Sequence, residues 1–192
     1  MATPLMAVIV VFGATGAQGR SVISALQAYH CPAYHMRGLT SNKSSDAARE
    51  ISSTGVEVVE VDMESEASIH GAVEGAEAVF ANTAFPPDVF VSKGASAAEE
   101  AESRTAMRIA YALARVTTLK HLVWSTLPDA RKQTDGKLHL YHFQSKVAAA
   151  EFIRSKPELA KKTTMLAVGM YGSNLKNPGY VPTYDVSRDC TP

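Results

Sequence analysis

LMAVIVVFGATGAQG, from Leu5 to Gly19, is the stretch that decides the fold. Leu5 to Phe12 is an apolar, β-branched run suited to a strand buried on both faces. Gly13, Gly16 and Gly19 follow directly, and beyond them Val22, Ile23, Leu26 and Tyr29 recur on one side of a helix. In a strand–loop–helix of this kind Gly13 lets the chain turn sharply off the strand. Gly16 lets the backbone approach a pyrophosphate, and Gly19 lets the helix pack close to the sheet. Backbone N–H groups at the helix start then face the phosphates, with the helix dipole adding a modest attraction. A tight turn with no ligand is the plainer reading of three glycines; their position between a buried strand and an amphipathic helix favours the nucleotide loop. The apolar run has no basic flank or small-residue cleavage site and is too short to span a bilayer, so it is read as a strand and not as a targeting segment.

Working outward, strand and helix signals alternate. Strands are expected at Tyr34 to Thr40, Val56 to Val61, Glu77 to Asn82, His121 to Thr126 and Thr163 to Tyr171. Ser44 or Ser45 caps a helix that ends near Gly55, Glu66 to Val73 is a short helix, and Phe143 to Arg154 is another. Ala84 to Ser96, with Pro86 and Pro87, reads as a loop. Ala97 to Arg115 reads as a long helix, acidic at its start (Glu99, Glu100, Glu102) and basic later, a polarity that complements its dipole. Six strands with helical crossovers predict a doubly wound parallel α/β sheet of Rossmann type, helices on both faces, with its ligand beyond the strand carboxyl ends. Residues 1–175 are read as that one dinucleotide-binding domain and 176–192 as an irregular tail.

Composition narrows the function classes. The 192 residues are 46% hydrophobic and 20% charged, which suits one globular domain and excludes a disordered or collagen-like chain. The 19 basic and 19 acidic residues balance, so no overall field draws the chain to nucleic acid or an anionic membrane. Cys31 and Cys190 are the only cysteines, with neither CxxC nor zinc spacing, which disfavours a disulfide scaffold or a metal site. A reduced, cytoplasmic setting is the expectation, and homo-oligomerisation is compatible with it.

Cofactor preference is read at the end of the second strand. Nothing between Cys31 and Ser45 is acidic, whereas an NAD site presents a carboxylate there to the ribose 2′-hydroxyl. Arg37 and Lys43, with Ser41 and Asn42, offer a 2′-phosphate donors and charge, so NADP is favoured over NAD. The alternative is that Arg37 points away and Lys43 is simply solvated. Asp62 and Met63 end the third strand, where a carboxylate accepts from the adenine amine and an apolar side chain covers the ring; Asp62 as a helix cap is the competing reading. Asn82, Thr83 and Phe85 are expected to line the nicotinamide side, with Phe85 equally suited to the core. Ser125 and Thr126 end the fifth strand, and Lys146 opens the next helix, where it can bond the nicotinamide ribose or stand as an ordinary surface lysine.

With these residues in view, GATGAQG, RGLT, VEVVEVD, HLVWSTLPD, HFQSK and GMYGSNL together resemble the NmrA-like family, within the atypical short-chain dehydrogenase/reductase superfamily, from about Met6 to Leu175. The family holds NADP-dependent oxidoreductases, often of fungal metabolic pathways, and members that have lost catalysis and sense the dinucleotide to regulate a protein partner. By that resemblance Gly13, Thr15, Gly16, Ala17, Gln18 and Gly19 form the dinucleotide loop, Asp62 sits by adenine and Lys146 is the ribose lysine.

The chain also departs from the family pattern. Ser41 stands where members often carry the arginine for the 2′-phosphate, and Ala167 and Val168 stand where an arginine and a proline are common. The superfamily pairs a tyrosine with the lysine four residues later; here that place is His142, and Tyr141 is one residue too early, about 100° away on a helix. Family members are longer, with a substrate-covering domain after the sixth strand. Three readings follow: an NADP-dependent reductase of a small carbonyl or enone, with His142, Ser125 and Lys146 as its catalytic groups; a non-catalytic dinucleotide sensor; and a shortened form of a larger enzyme.

Overall fold

The computed structural model describes residues 6–29 and 34–176. Cys31, Cys190 and the tail beyond Lys176 lie outside the described residues. Six strands, β1 (Ala7–Val11), β2 (Tyr34–Thr40), β3 (Glu57–Glu60), β4 (Ala76–Ala81), β5 (His121–Thr126) and β6 (Thr163–Ala167), form one sheet in the order β3-β2-β1-β4-β5-β6. Every neighbouring pair is parallel. This is the doubly wound arrangement expected from the alternation of elements, and its strand order reverses between β1 and β4.

The apolar run of β1 is continuous because both faces of the sheet are covered. Val10 and Phe12 join a core with Leu39, Ile69, Ile109, Leu122 and Ile153 on one face. Ile9 and Val11 join Ile23, Ile51, Val56 and Phe80 on the other. The first face is closed by α3 (Glu66–Val73), α5 (Ala95–Ala114) and α8 (Val147–Ser155), and the second by α1 (Ala17–Ala28) and α2 (Asp46–Ser53). Tyr29, grouped above with the apolar side of α1, is its C-cap and is exposed.

Local chemistry sets the helix starts. Ser45 caps α2 by accepting from the Ala48 N–H, and Ser65 caps α3 by accepting from the Ser68 N–H. Asp62 is therefore not the cap: its carboxylate accepts from the Glu64 N–H in the turn before. Three expectations need correction. The span from Ala84 to Ser96 is not all loop: α4 (Pro87–Lys93) forms there, with Pro87 at the first helical position, where its fixed φ suits a helix and no N–H is required. The helix expected over Phe143 to Arg154 is split into α7 (Tyr141–Gln144) and α8, with Ser145 and Lys146 in the turn between them. β6 stops at Ala167, and Gly172–Lys176 is a 3-10 turn. Two short helices, α6 (Ala130–Gln133) and α9 (Pro157–Ala160), complete the chain order. Among the described residues no helix is long and apolar enough to cross a membrane.

Candidate active site at the strand carboxyl ends

The glycine loop is built by contact distances. Gly13 has φ +60°, and a Cβ there would lie 2.8 Å from the Asn82 side-chain oxygen. A Cβ on Gly19 would lie 2.2 Å from the Gly13 carbonyl oxygen, so the helix reaches the loop only because that position is bare. The Gly16 N–H closes the turn on the Gly13 oxygen at 2.9 Å, and Ala14 donates to the Leu39 oxygen at 3.0 Å, fastening the loop to β2. Gly16 is the N-cap of α1 and supplies no side-chain acceptor, and the first turn holds no acidic residue. The N–H groups of Ala17 and Gln18, which have no intrahelical acceptor, thus face outward beside the positive end of the dipole. This is the donor set an anionic diphosphate fits.

The loop opens into a crevice of about 370 Å³ between the carboxyl ends of β1, β4 and β5. Gly16, Ala17, Gln18, Asn82, Thr83, Ser125, His142 and Lys146 all line it, gathered from four separate stretches of the chain. Phe85 is a wall of this crevice, its ring 6.3 Å from that of His142 in an edge-on arrangement. Tyr171 and Asn174 close the far side, and Gln18 Nε2 donates to the Tyr171 hydroxyl at 2.8 Å. Tyr141 is turned elsewhere, edge-on to His139 with centroids 4.6 Å apart. His139 itself bonds Glu99 at 2.6 Å.

Behind Lys146 and Thr83, which line the crevice, sits a group the sequence reading missed. The Glu102 side chain is wholly buried, and Lys146 Nζ donates to its Oε1 at 2.5 Å. Thr83 Oγ1 donates to the same oxygen at 2.7 Å and Ser145 Oγ to Oε2 at 2.5 Å. Lys146 Nζ also donates to the Thr83 carbonyl at 2.9 Å and to Thr83 Oγ1 at 3.1 Å. A signal for Glu102 existed: it falls at four-residue spacing between Ala98 and Ala106, both buried, and so stands in the apolar stripe of its helix.

The residues chosen for cofactor preference do not gather in the same way. Arg37 lies mid-strand, and its guanidinium is held by Glu57 at 3.0 Å, the Ala72 carbonyl at 2.9 Å and the Glu74 carbonyl at 3.2 Å. Glu57 opens β3 and Ala72 and Glu74 end α3, so Arg37 points to the amino edge of the sheet, away from a 2′-phosphate. That assignment is corrected. Lys43 is exposed in the loop after β2, and its backbone N–H donates to Glu60 at 2.9 Å. Asp62 and Met63 follow β3 outside the crevice lining, with Met63 packed partly into the core.

Burial acts to raise the Glu57 carboxyl, but hydrogen bonds from His35 and Arg37 and the adjacent guanidinium charge outweigh it and hold the group below the ordinary carboxylate range.

With this geometry in hand, comparison with known proteins gives consistent results. The NmrA-like oxidoreductase malD of Malbranchea aurantiaca is 27% identical over 148 residues, 77% of this chain and 43% of malD. The solved structure of NmrA, a negative transcriptional regulator, in complex with NADP superposes with a TM-score of 0.67 at 20% identity, covering 88% of this chain and 47% of that one. Triphenylmethane reductase of Citrobacter sp., complexed with NADP(H), superposes with a TM-score of 0.65 at 20% identity, covering 86% and 50%. The chain thus spans about half the length of the proteins it matches. The model of the NmrA-like family matches residues 6–190, and the chain belongs to that family.

Proposed function

We propose that the chain is the NADP(H)-binding unit of an oxidoreductase that reduces a small carbonyl or enone. The observation that carries this reading is the crevice where the β1/β4 reversal, the uncapped start of α1 and the Lys146 ammonium meet. A bound nicotinamide supplies hydride to the substrate. Gly13, Thr15 and Gly19 shape the loop, while Gly16, Ala17 and Gln18 present it to the diphosphate. Asn82 and Thr83 border the nicotinamide, and Lys146 holds its ribose. His142 donates the proton to the reduced oxygen and Ser125 polarises it; both line the same cavity as Lys146. Asp62 and Met63 stand at the adenine end, beyond β3.

NADP is supported by the bound states of NmrA and triphenylmethane reductase and by the exposed Lys43 in the loop after β2, a cation available to the 2′-phosphate. NmrA has also been solved with NAD, which keeps NAD as the weaker choice. A place in fungal secondary metabolism agrees with the Malbranchea and Aspergillus sources of the curated oxidoreductases. A cytoplasmic location and a small-molecule substrate accompany this reading.

One observation favours a second reading. Tyr141 packs on His139 and does not line the crevice, so the superfamily's usual acid is not at hand. A non-catalytic NADP(H) sensor that engages a protein partner needs the dinucleotide loop alone, and NmrA is itself a negative regulator. Purified protein is titrated with NADPH and NADH, then supplied with a carbonyl and enone panel while NADPH loss is followed. Turnover supports the reductase; tight binding without turnover across the panel selects the sensor; absence of binding to either dinucleotide rejects both.

A further inference from the structure

Glu102 has no role in the reading above, yet its burial needs a reason. An isolated carboxylate in this apolar stripe would be costly to desolvate, and the three donors of Lys146, Thr83 and Ser145 compensate it. Such a buried pair is weak evidence for stability as such, because apolar residues of the same volume pack as well. What the pair does, and an apolar replacement cannot, is fix an ammonium at the crevice floor. A lysine has four methylenes and a freely turning head group, so an unanchored Lys146 would sample many positions. Here Nζ has three acceptors, Glu102 Oε1, the Thr83 carbonyl and Thr83 Oγ1, and the last is the longest at 3.1 Å.

We infer that Glu102 is a positioning residue for the ligand: it anchors the Lys146 ammonium so that a ribose hydroxyl of the bound dinucleotide takes the place of Thr83 Oγ1. This rests on the dinucleotide reading above. The Thr83 hydroxyl, released as an acceptor, still donates to Glu102, so the carboxylate keeps its partners when the ligand enters. Ser145, adjacent to Lys146 in the turn between α7 and α8, ties the turn itself to Glu102 Oε2.

The test compares two probes on Glu102→Gln, Glu102→Asp and the wild type: NADPH, and adenosine 2′,5′-bisphosphate, which lacks the nicotinamide ribose. Glu102→Gln is expected to weaken NADPH about tenfold, the scale of one charge-assisted hydrogen bond, and to leave the bisphosphate unchanged. Glu102→Asp, which restores the charge, is expected to recover part of the loss. Acylation of Lys146, followed by peptide mass spectrometry without ligand, is expected to speed up in Glu102→Gln relative to the exposed lysines. Equal losses for both probes, or unchanged NADPH affinity and unchanged labelling, overturn the inference. If Glu102→Gln does not fold, Ser145→Ala removes one donor without stranding a charge and carries the same comparison at smaller amplitude. Failure of the wild type to bind NADPH overturns the dinucleotide reading, and this inference with it, before any variant is compared.

Discussion

Two carboxylates, Glu102 and Glu57, each hold a cation, and they sit at opposite edges of the same sheet. Glu102 and Lys146 lie at the carboxyl edge with side chains 0% and 13% exposed. Glu57 and Arg37 lie at the amino edge, 40% and 19% exposed, with His35 as a third member. Water can solvate the second group as well as pair it, so its contribution is screened and small. The wholly buried Glu102 carboxylate has no such option and depends on its donors. Position divides their tasks as burial divides their energies: a parallel sheet binds ligands beyond its carboxyl ends, so only the Glu102 group adjoins the crevice.

Removing one cation from each group gives the largest contrast. Lys146→Met strands a wholly buried carboxylate and should cost about 3–5 kcal/mol in urea unfolding. Arg37→Met, at a half-open pair, should cost about 1 kcal/mol or less. Similar losses at the two edges would break the comparison.

A second contrast concerns ligand. Gly16→Val places a branched side chain where even a Cβ meets the Gly13 oxygen at 3.3 Å, in the path of the diphosphate. It should abolish NADPH binding while circular dichroism shows an intact fold. At the amino edge, Arg37→Met should leave NADPH and NADH affinities alone. Lys43→Ala should weaken NADPH by about 1 kcal/mol, roughly five-fold, and spare NADH, as isothermal titration can determine. An effect of Arg37→Met on NADPH alone would return that residue to the cofactor.

The smallest expected effect is a pH dependence. The folded Glu57 carboxyl sits below its unfolded value, so its contribution is fully present above the unfolded value and lost as pH falls through the folded one. Acid unfolding curves for the wild type and Glu57→Gln should therefore converge as the solution is taken below the ordinary carboxylate range. High salt should shrink the difference. A gap that widens on acidification contradicts the assignment.

The same two edges show what the chain's letters reveal. β1 was legible as an unbroken apolar run covered on both faces, the other five strands as shorter apolar or β-branched stretches between helix and turn signals, and the GATGAQG loop because its glycines meet steric demands. Arg37 was misplaced because nearness to a strand end is not direction: register sets it beside Glu57, three residues short of Thr40. Glu102 was hidden among Glu99 and Glu100, which look identical to it in a count of helix-start acids. Glu100 pairs with Arg104 on the surface and Glu99 with His139, and only the helical phase separates Glu102 from them. The α4 segment was lost because two prolines read as a break, although the second sits where a helix accepts one.

The most direct measurement uses the chain's single tryptophan. Trp124 is buried in β5 immediately before Ser125, beside the crevice, and a bound reduced nicotinamide there would quench its emission. Titration with NADPH should give saturable quenching in the wild type and none in folded Gly16→Val. Saturable quenching that survives Gly16→Val unchanged, or none in the wild type, would contradict a dinucleotide site at the ends of β1 and β4.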